Sequence, residues 1–157
     1  MPAGDNLESV MRYPLIFDIK GRKTLFIGGG KVALRKIRAM LAAEAEITVI
    51  APEILPEIEA LGVNTIKKDF QPEDVADDCF LVFACTDSKA VNRLAAEEAK
   101  NRKIPVNIAD DPEFSDFHTP AVITHDGFTL SVSTDGKSPS ASKAMKEKLE
   151  SILNTKK

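Results

Sequence analysis

Only two of the 157 residues are cysteines and only two are histidines, which leaves little from which to build a metal centre. Cys79 and Cys85 share a face of the strand-like run CFLVFAC but stand too far apart along it to bond to each other. Both are expected as reduced thiols in or beside a core. His118 and His125 lack the spacing to acidic partners that zinc requires, so no metal site is expected. No apolar run is long enough to span a bilayer, and the polar start MPAGDNLES has neither the basic nor the apolar region of a secretory signal. A cytoplasmic protein with no membrane partner is the expectation. Neither sign of charge dominates: the formal net charge is -3 and the isoelectric point is near 5.5, which supplies no electrostatic reason to expect a nucleic-acid partner.

What is present is a balanced globular composition, with 43% hydrophobic and 29% charged residues, enough for one compact domain with an appendage. After a tail over residues 1–10, the stretch RYPLIFDIKGRKTLFIGGG reads as an extended segment, a turn at Gly21 and a strand Thr24–Ile27. A helix follows from about Lys31 to Ala43, with Val32, Ala33, Ile37, Met40 and Leu41 spaced to bury one face and Arg35, Lys36 and Arg38 on the remaining surface. The pattern then alternates. A strand EITVIA over Glu46–Ala51 precedes a short helical stretch ILPEIEALG ending at Gly62, and a third strand is expected near Val63–Lys67. CFLVFACT is a continuous apolar strand of the buried parallel type. A helix Asp87–Arg102, with Ala90, Val91, Leu94, Ala95 and Ala99 on one side, leads to a strand Ile104–Ile108. This rhythm predicts an α/β fold, a Rossmann-like doubly wound parallel sheet. Beyond the turn-rich DDPEFSDFHTP, the run AVITHDGFTLSVST reads as an antiparallel hairpin around Asp126-Gly127. A last helix begins with Ser138 as N-cap and Pro139 at its first position, and carries an apolar stripe of Ala141, Met145, Leu149 and Ile152.

The stretch TLFIGGGKVALRK fits a dinucleotide fingerprint, Gly28-x-Gly30-x-x-Ala33, between a strand and a helix. One glycine permits a tight turn, a second admits the pyrophosphate close to the backbone, and a small third residue lets helix pack on strand. An acidic residue that binds ribose is expected about 20 positions later. Glu53 stands slightly beyond that place and reads equally as a ribose ligand or as an ordinary acid in the first turn of a helix. No arginine beside it is available for a 2′-phosphate, which favours NAD over NADP. At the end of the fourth strand, Thr86 is a candidate for a second cofactor contact, or else Thr86 or Asp87 caps the next helix. Asp110 ends a strand where a carboxylate can face the crevice and accept a proton, although Asp110-Asp111-Pro112 is also a turn-forming sequence.

Taken in order, GGGKVALRK, TVIAPE, FACTD, VNIADDP, FHTPAVI and SVSTDGKSP resemble the precorrin-2 dehydrogenase family, which includes the amino-terminal module of sirohaem synthases. The likeness covers about Tyr13–Leu153. It implies NAD-dependent oxidation of the tetrapyrrole precorrin-2 to sirohydrochlorin, a step in sirohaem biosynthesis. Lys31, Val32, Pro52 and Glu53 then match the family's NAD contacts, and Asp110 its catalytic aspartate. Lys31, Arg35, Lys36 and Arg38 are local candidates to face the substrate's carboxylates, His118 is a candidate for substrate contact, and His125 is expected to be structural or exposed. The division implied is an NAD-binding domain over residues 11–111 and a hairpin-and-helix dimerisation region over residues 112–157. Relatives form a swapped homodimer through the central antiparallel strands and continue past the last helix into a larger helical region, whereas this sequence ends at Lys157. Two rivals stand beside this reading: a bifunctional dehydrogenase and ferrochelatase, and a nucleotide- or tetrapyrrole-binding module without turnover.

Overall fold

The structure, a computed structural model, describes residues 12–154. Five parallel strands, β1 (Lys23–Gly29), β2 (Glu46–Ile54), β3 (Asn64–Lys67), β4 (Leu81–Ala84) and β5 (Val106–Ile108), form one sheet in the order β3-β2-β1-β4-β5. The connections are helical: α1 (Lys31–Ala42), α2 (Pro56–Glu59) and α3 (Lys89–Asn101), with a 3₁₀ turn over Pro72–Asp74 before β4. The Rossmann-like α/β sheet read from the alternating pattern is therefore present. The chain divides into two compact units, one spanning Asp18–Thr119 and the other comprising the segments on either side of it.

The strands β1, β2 and β4 alternate their side chains between two apolar layers. One layer joins Phe26, Val49 and Phe83 to Ala33 and Ile37 of α1 and Ile58 of α2. The other joins Leu25, Ile27, Val82 and Val106 to Ala95, Ala96 and Ala99 of α3. All four residues of β4 are buried, which is why that strand reads as an unbroken apolar run rather than an alternating one. At its centre Phe26 and Phe83, register partners across β1 and β4, stack with ring centroids 4.5 Å apart, and Phe117 meets Phe83 edge-on at 5.3 Å.

Several elements differ from the sequence reading for physical reasons. β2 runs on through Pro52 to Ile54, and α2 is a single turn that stops at Glu59, three residues before Gly62 takes its positive φ of 74°. The buried stripe of α3 is rotated from the apolar residues expected. It consists of Asn92, Ala95, Ala96 and Ala99, while Leu94 is 42% exposed, because only small side chains let the helix lie close to β4 and β5. Neither Thr86 nor Asp87 caps α3; Ser88 does, its Oγ accepting from the Val91 N–H at 3.3 Å. Lys36 does not sit on a solvated helix face but turns inward, its Nζ donating to Thr119 Oγ1 at 2.8 Å.

The loop after β5 closes the sheet edge without being a strand. The Asp116 N–H donates to the Val106 carbonyl at 2.8 Å, Asp116 Oδ2 accepts from the Val106 N–H at 3.0 Å, and Ser115 Oγ accepts from the Ile108 N–H at 2.8 Å. Side chains thus satisfy edge groups that would otherwise be open to another strand. Arg93 and Lys100 of α3 lie 3.9 and 3.8 Å from the ring centre of Phe114 and hold the same loop from above.

In the second unit, β6 (Ala121–His125) and β7 (Phe128–Val132) pair antiparallel around Asp126 and Gly127, which both take positive φ as a two-residue hairpin turn requires. The last helix, α4 (Pro139–Asn154), begins as expected, with Ser138 Oγ accepting from the Ala141 N–H at 3.2 Å. α4 packs on β6 and β7, yet Met145 and Ile152 of its apolar stripe remain 47% and 50% exposed.

Because Phe83 of β4 is fully buried in the layer between the sheet and α1 and carries two ring contacts, Phe83→Ala is expected to cost about 3–5 kcal/mol of stability, measured by urea denaturation. A loss below about 1 kcal/mol would show that the layer closes over the gap.

Candidate active site at the carboxyl edge of the sheet

The strand order reverses between β1 and β4, since β1 leads to β2 on one side and β4 leads to β5 on the other. In an open parallel sheet this point leaves a crevice at the carboxyl ends of the strands. Gly28 and Gly29 end β1, and Gly30, Thr86 and Asp110 follow β1, β4 and β5 at those same ends.

The three glycines have three different reasons. Gly28 has φ 111°, and a Cβ on it would lie 2.5 Å from the Cys85 carbonyl oxygen at the end of β4. A Cβ on Gly29 would lie 2.5 Å from the Glu53 carbonyl oxygen of β2, where the β1–β2 register shifts so that Gly29 pairs with Ile54. The first two glycines therefore let β1 approach both neighbouring strands. Gly30 differs: it has ordinary φ -92°, caps α1, and a Cβ there would meet nothing within 4 Å. The space over Gly30 faces the start of α1, whose first N–H groups have no partner within the helix and whose first turn holds no acidic residue. That is a ready site for an anion such as a diphosphate. Ala33, fully buried, is the small residue that seats α1 on the sheet. Gly29 was passed over by the fingerprint, which counts only alternate glycines; the run of three was the available signal.

Lys31 and Val32 are exposed at the first turn of α1, so Val32 does not join the buried face predicted for it. Pro52 and Glu53 lie exposed in the last residues of β2. Glu53 precedes α2 by three residues and is not a first-turn helix acid.

Thr86 and Asp110 are joined by a residue that sequence reasoning missed. Asn92 of α3, 1% exposed, accepts at Oδ1 from the Thr86 N–H at 3.0 Å and from the Thr86 hydroxyl at 2.7 Å. Its Nδ2 donates to the Thr86 carbonyl at 3.0 Å and to Asp110 Oδ1 at 3.3 Å. The signal was its place three, four and seven residues before Ala95, Ala96 and Ala99, on the helix stripe that small residues dominate. Asp110 itself is exposed, and a small hollow beside it is lined by Lys89, Asn92, Arg93, Ile108, Asp110 and Asp111. Arg93 pairs with Asp111 at 3.1 Å.

Of the basic side chains on α1, Arg35 and Arg38 are exposed, whereas burial lowers the pKa of Lys36, which lies 5.7 Å above the Phe83 ring. Neither cysteine is in a disulfide, and burial pushes the Cys85 thiol up to about 11, so it is neutral at physiological pH. His118 is half-buried in the segment after Phe117, and His125 is half-buried at the end of β6, 3.3 Å from Asp126. Among the described residues no three histidine, cysteine or acidic side chains stand together as a metal site would need, and no described helix is long and apolar enough to cross a membrane.

The glycine geometry separates two kinds of constraint. Gly28→Ala is expected to cost at least about 3 kcal/mol in urea denaturation, from an unfavourable φ and a Cβ forced against a carbonyl. Gly30→Ala, facing open space, is expected to cost under about 1 kcal/mol, the difference in capping preference. Equal losses at the two positions would overturn this division.

Comparison with known proteins follows the same lines. Residues 15–121 match the NAD_binding_7 family of NAD(P)-binding domains. The chain is 37% identical over 145 residues to the siroheme synthase of Thioalkalivibrio sulfidiphilus, covering 90% of this chain and 29% of that protein. It is 40% identical over 142 residues to siroheme synthase 2 of Aeromonas salmonicida, covering 89% of this chain and 29% of that one. It thus spans about three-tenths of the length of these curated relatives. Among solved structures, the precorrin-2 dehydrogenase SirC superposes with a TM-score of 0.77 at 35% identity, over 90% of this chain and 71% of that one. With an NAD(P)-binding family model matched over residues 15–121 and a precorrin-2 dehydrogenase matched at 35% identity over 71% of its length, the chain belongs to the precorrin-2 dehydrogenase family.

Proposed function

We propose that this protein catalyses NAD-dependent dehydrogenation of precorrin-2 to sirohydrochlorin. The observation that carries the reading is the meeting, at one edge of the sheet, of a helix start at Gly30 with no acidic residue in its first turn and an exposed carboxylate, Asp110. The residues fit a dinucleotide: the open face of Gly30 admits a diphosphate to the N–H groups of α1. Lys31 and Val32 flank that turn, and Pro52, Glu53 and Thr86 are the remaining cofactor contacts proposed. When bound, NAD supplies the acceptor for the hydride that leaves the substrate.

The chain's own chemistry is the management of a proton. Oxidation of the reduced ring removes a hydride and a proton, and the Asp110 carboxylate receives the proton. Its position at the end of β5, two strands from the phosphate turn, suits a group that must face substrate rather than cofactor phosphate. The two free thiols accord with a reducing compartment, and the reading includes a cytoplasmic location.

The test is an anaerobic assay of precorrin-2 with NAD, following NADH and sirohydrochlorin together against a control without protein. Stoichiometric formation of both is expected. Asp110→Asn is expected to lower turnover by about 10²–10⁴-fold, the usual worth of general-base help, with NAD affinity retained. Bound NAD without any turnover of the parent protein would favour the binding-module reading.

The working unit is proposed to be a homodimer. Val122, Phe128, Met145 and Ile152 are 44%, 72%, 47% and 50% exposed on the hairpin and last helix, and a second copy of the chain would cover them. Light scattering is expected to give twice the chain mass; a monomer at high micromolar concentration would remove this part of the reading.

A further inference from the structure

Asn92 has the lowest exposure of any polar side chain among the buried ones described, and its surroundings on α3 are alanines. A primary amide has two acceptor and two donor positions. Here all four meet a partner: three on the backbone and hydroxyl of Thr86, whose one proton also lies 3.0 Å from the Ser88 carbonyl, and the fourth, an N–H, on the Asp110 carboxylate. Thr86 fixes which end of the amide is which, because its N–H must meet oxygen and its carbonyl must meet nitrogen. The N–H directed at Asp110 therefore has no freedom to turn away.

Simpler roles do not account for that fourth bond. α3 is already capped by Ser88, so the amide is not needed at the helix start. Asp110 is exposed and water alone would solvate it, so the amide does not relieve a buried charge. Of the two cations that line the same hollow, Arg93 is committed to Asp111, and Lys89 makes no ion pair with Asp110 among the described residues. What a buried, fully engaged amide adds to an exposed carboxylate is direction.

We propose that Asn92 is a positioning residue for the dehydrogenation, locking the end of β4 to the end of β5 so that the Asp110 carboxylate is held in one orientation. The inference rests on Asp110 being the base, and a double-mutant cycle separates the two ideas. Single-turnover rates with saturating NAD and precorrin-2 are measured anaerobically for the parent, Asn92→Ala, Asp110→Ala and the double variant, with folding checked by circular dichroism.

Asn92→Ala is expected to lower the rate by about 10- to 100-fold, the scale of a misplaced reacting group, and to cause no further loss in the Asp110→Ala background. A purely structural asparagine would lower both backgrounds alike. Additive losses, or a parent-like rate for Asn92→Ala beside an impaired Asp110→Ala, would overturn the role of Asn92 and leave the base standing. A parent-like rate for Asp110→Ala would overturn both. Should Asn92→Ala fail to fold, the uncharged and similarly sized Asn92→Leu carries the same cycle, since it fills the buried site and removes the N–H from Asp110.

Discussion

The close passage of β1 beside β4 is the constraint on which the remaining architecture depends. These strands are neighbours in the sheet although two other strands lie between them in the chain, and their ends come together so tightly that no side chain fits at Gly28. That closeness stacks Phe26 on Phe83, directs the glycine turn across the strand ends, and fixes where α1 begins. The turn at this edge of the sheet is thus made largely of backbone. Its accuracy comes from strand pairing rather than from any one side chain.

A second level of organisation is carried by smallness. Ala33 on one side of the sheet and Ala95, Ala96 and Ala99 on the other let helices lie close to strands. On α3 this brings a polar residue within reach of two strand ends at once, which a helix held off by larger side chains would not allow. The same economy operates at the outer edge of β5, where Ser115 and Asp116 supply the hydrogen bonds that another strand would otherwise make. A sheet of five strands is closed there by a loop.

Much of this was legible because it rests on local pattern. The unbroken apolar run around Leu81–Ala84 announces a strand buried on both faces, and glycines between a strand and a helix announce a tight turn into that helix. The hairpin was visible in Asp126-Gly127, whose positive φ values few other pairs accept. What escaped depends on distance in space. Nothing in the vicinity of Asn92 says that Thr86 and Asp110 will lie beside it, and a polar residue on a helix reads as solvated until its neighbours are known. Lys36 escaped for the same reason, its partner lying 83 positions away. Val32 and Leu94 misled in the opposite direction, because hydrophobicity predicts a buried face only where packing has room for bulk.

The bond between Lys36 and Thr119 bears on how the chain assembles. It ties the first helix to the last residue of the α/β unit and so encloses nearly the whole sheet in one loop. A contact of such sequence separation is a non-local one, whose closure entropy the pairing of the intervening strands lowers. During synthesis, α1 leaves the ribosome with a lysine whose partner has not yet been made, and the unit acquires its final closure only after β5 and the Phe117 segment have emerged.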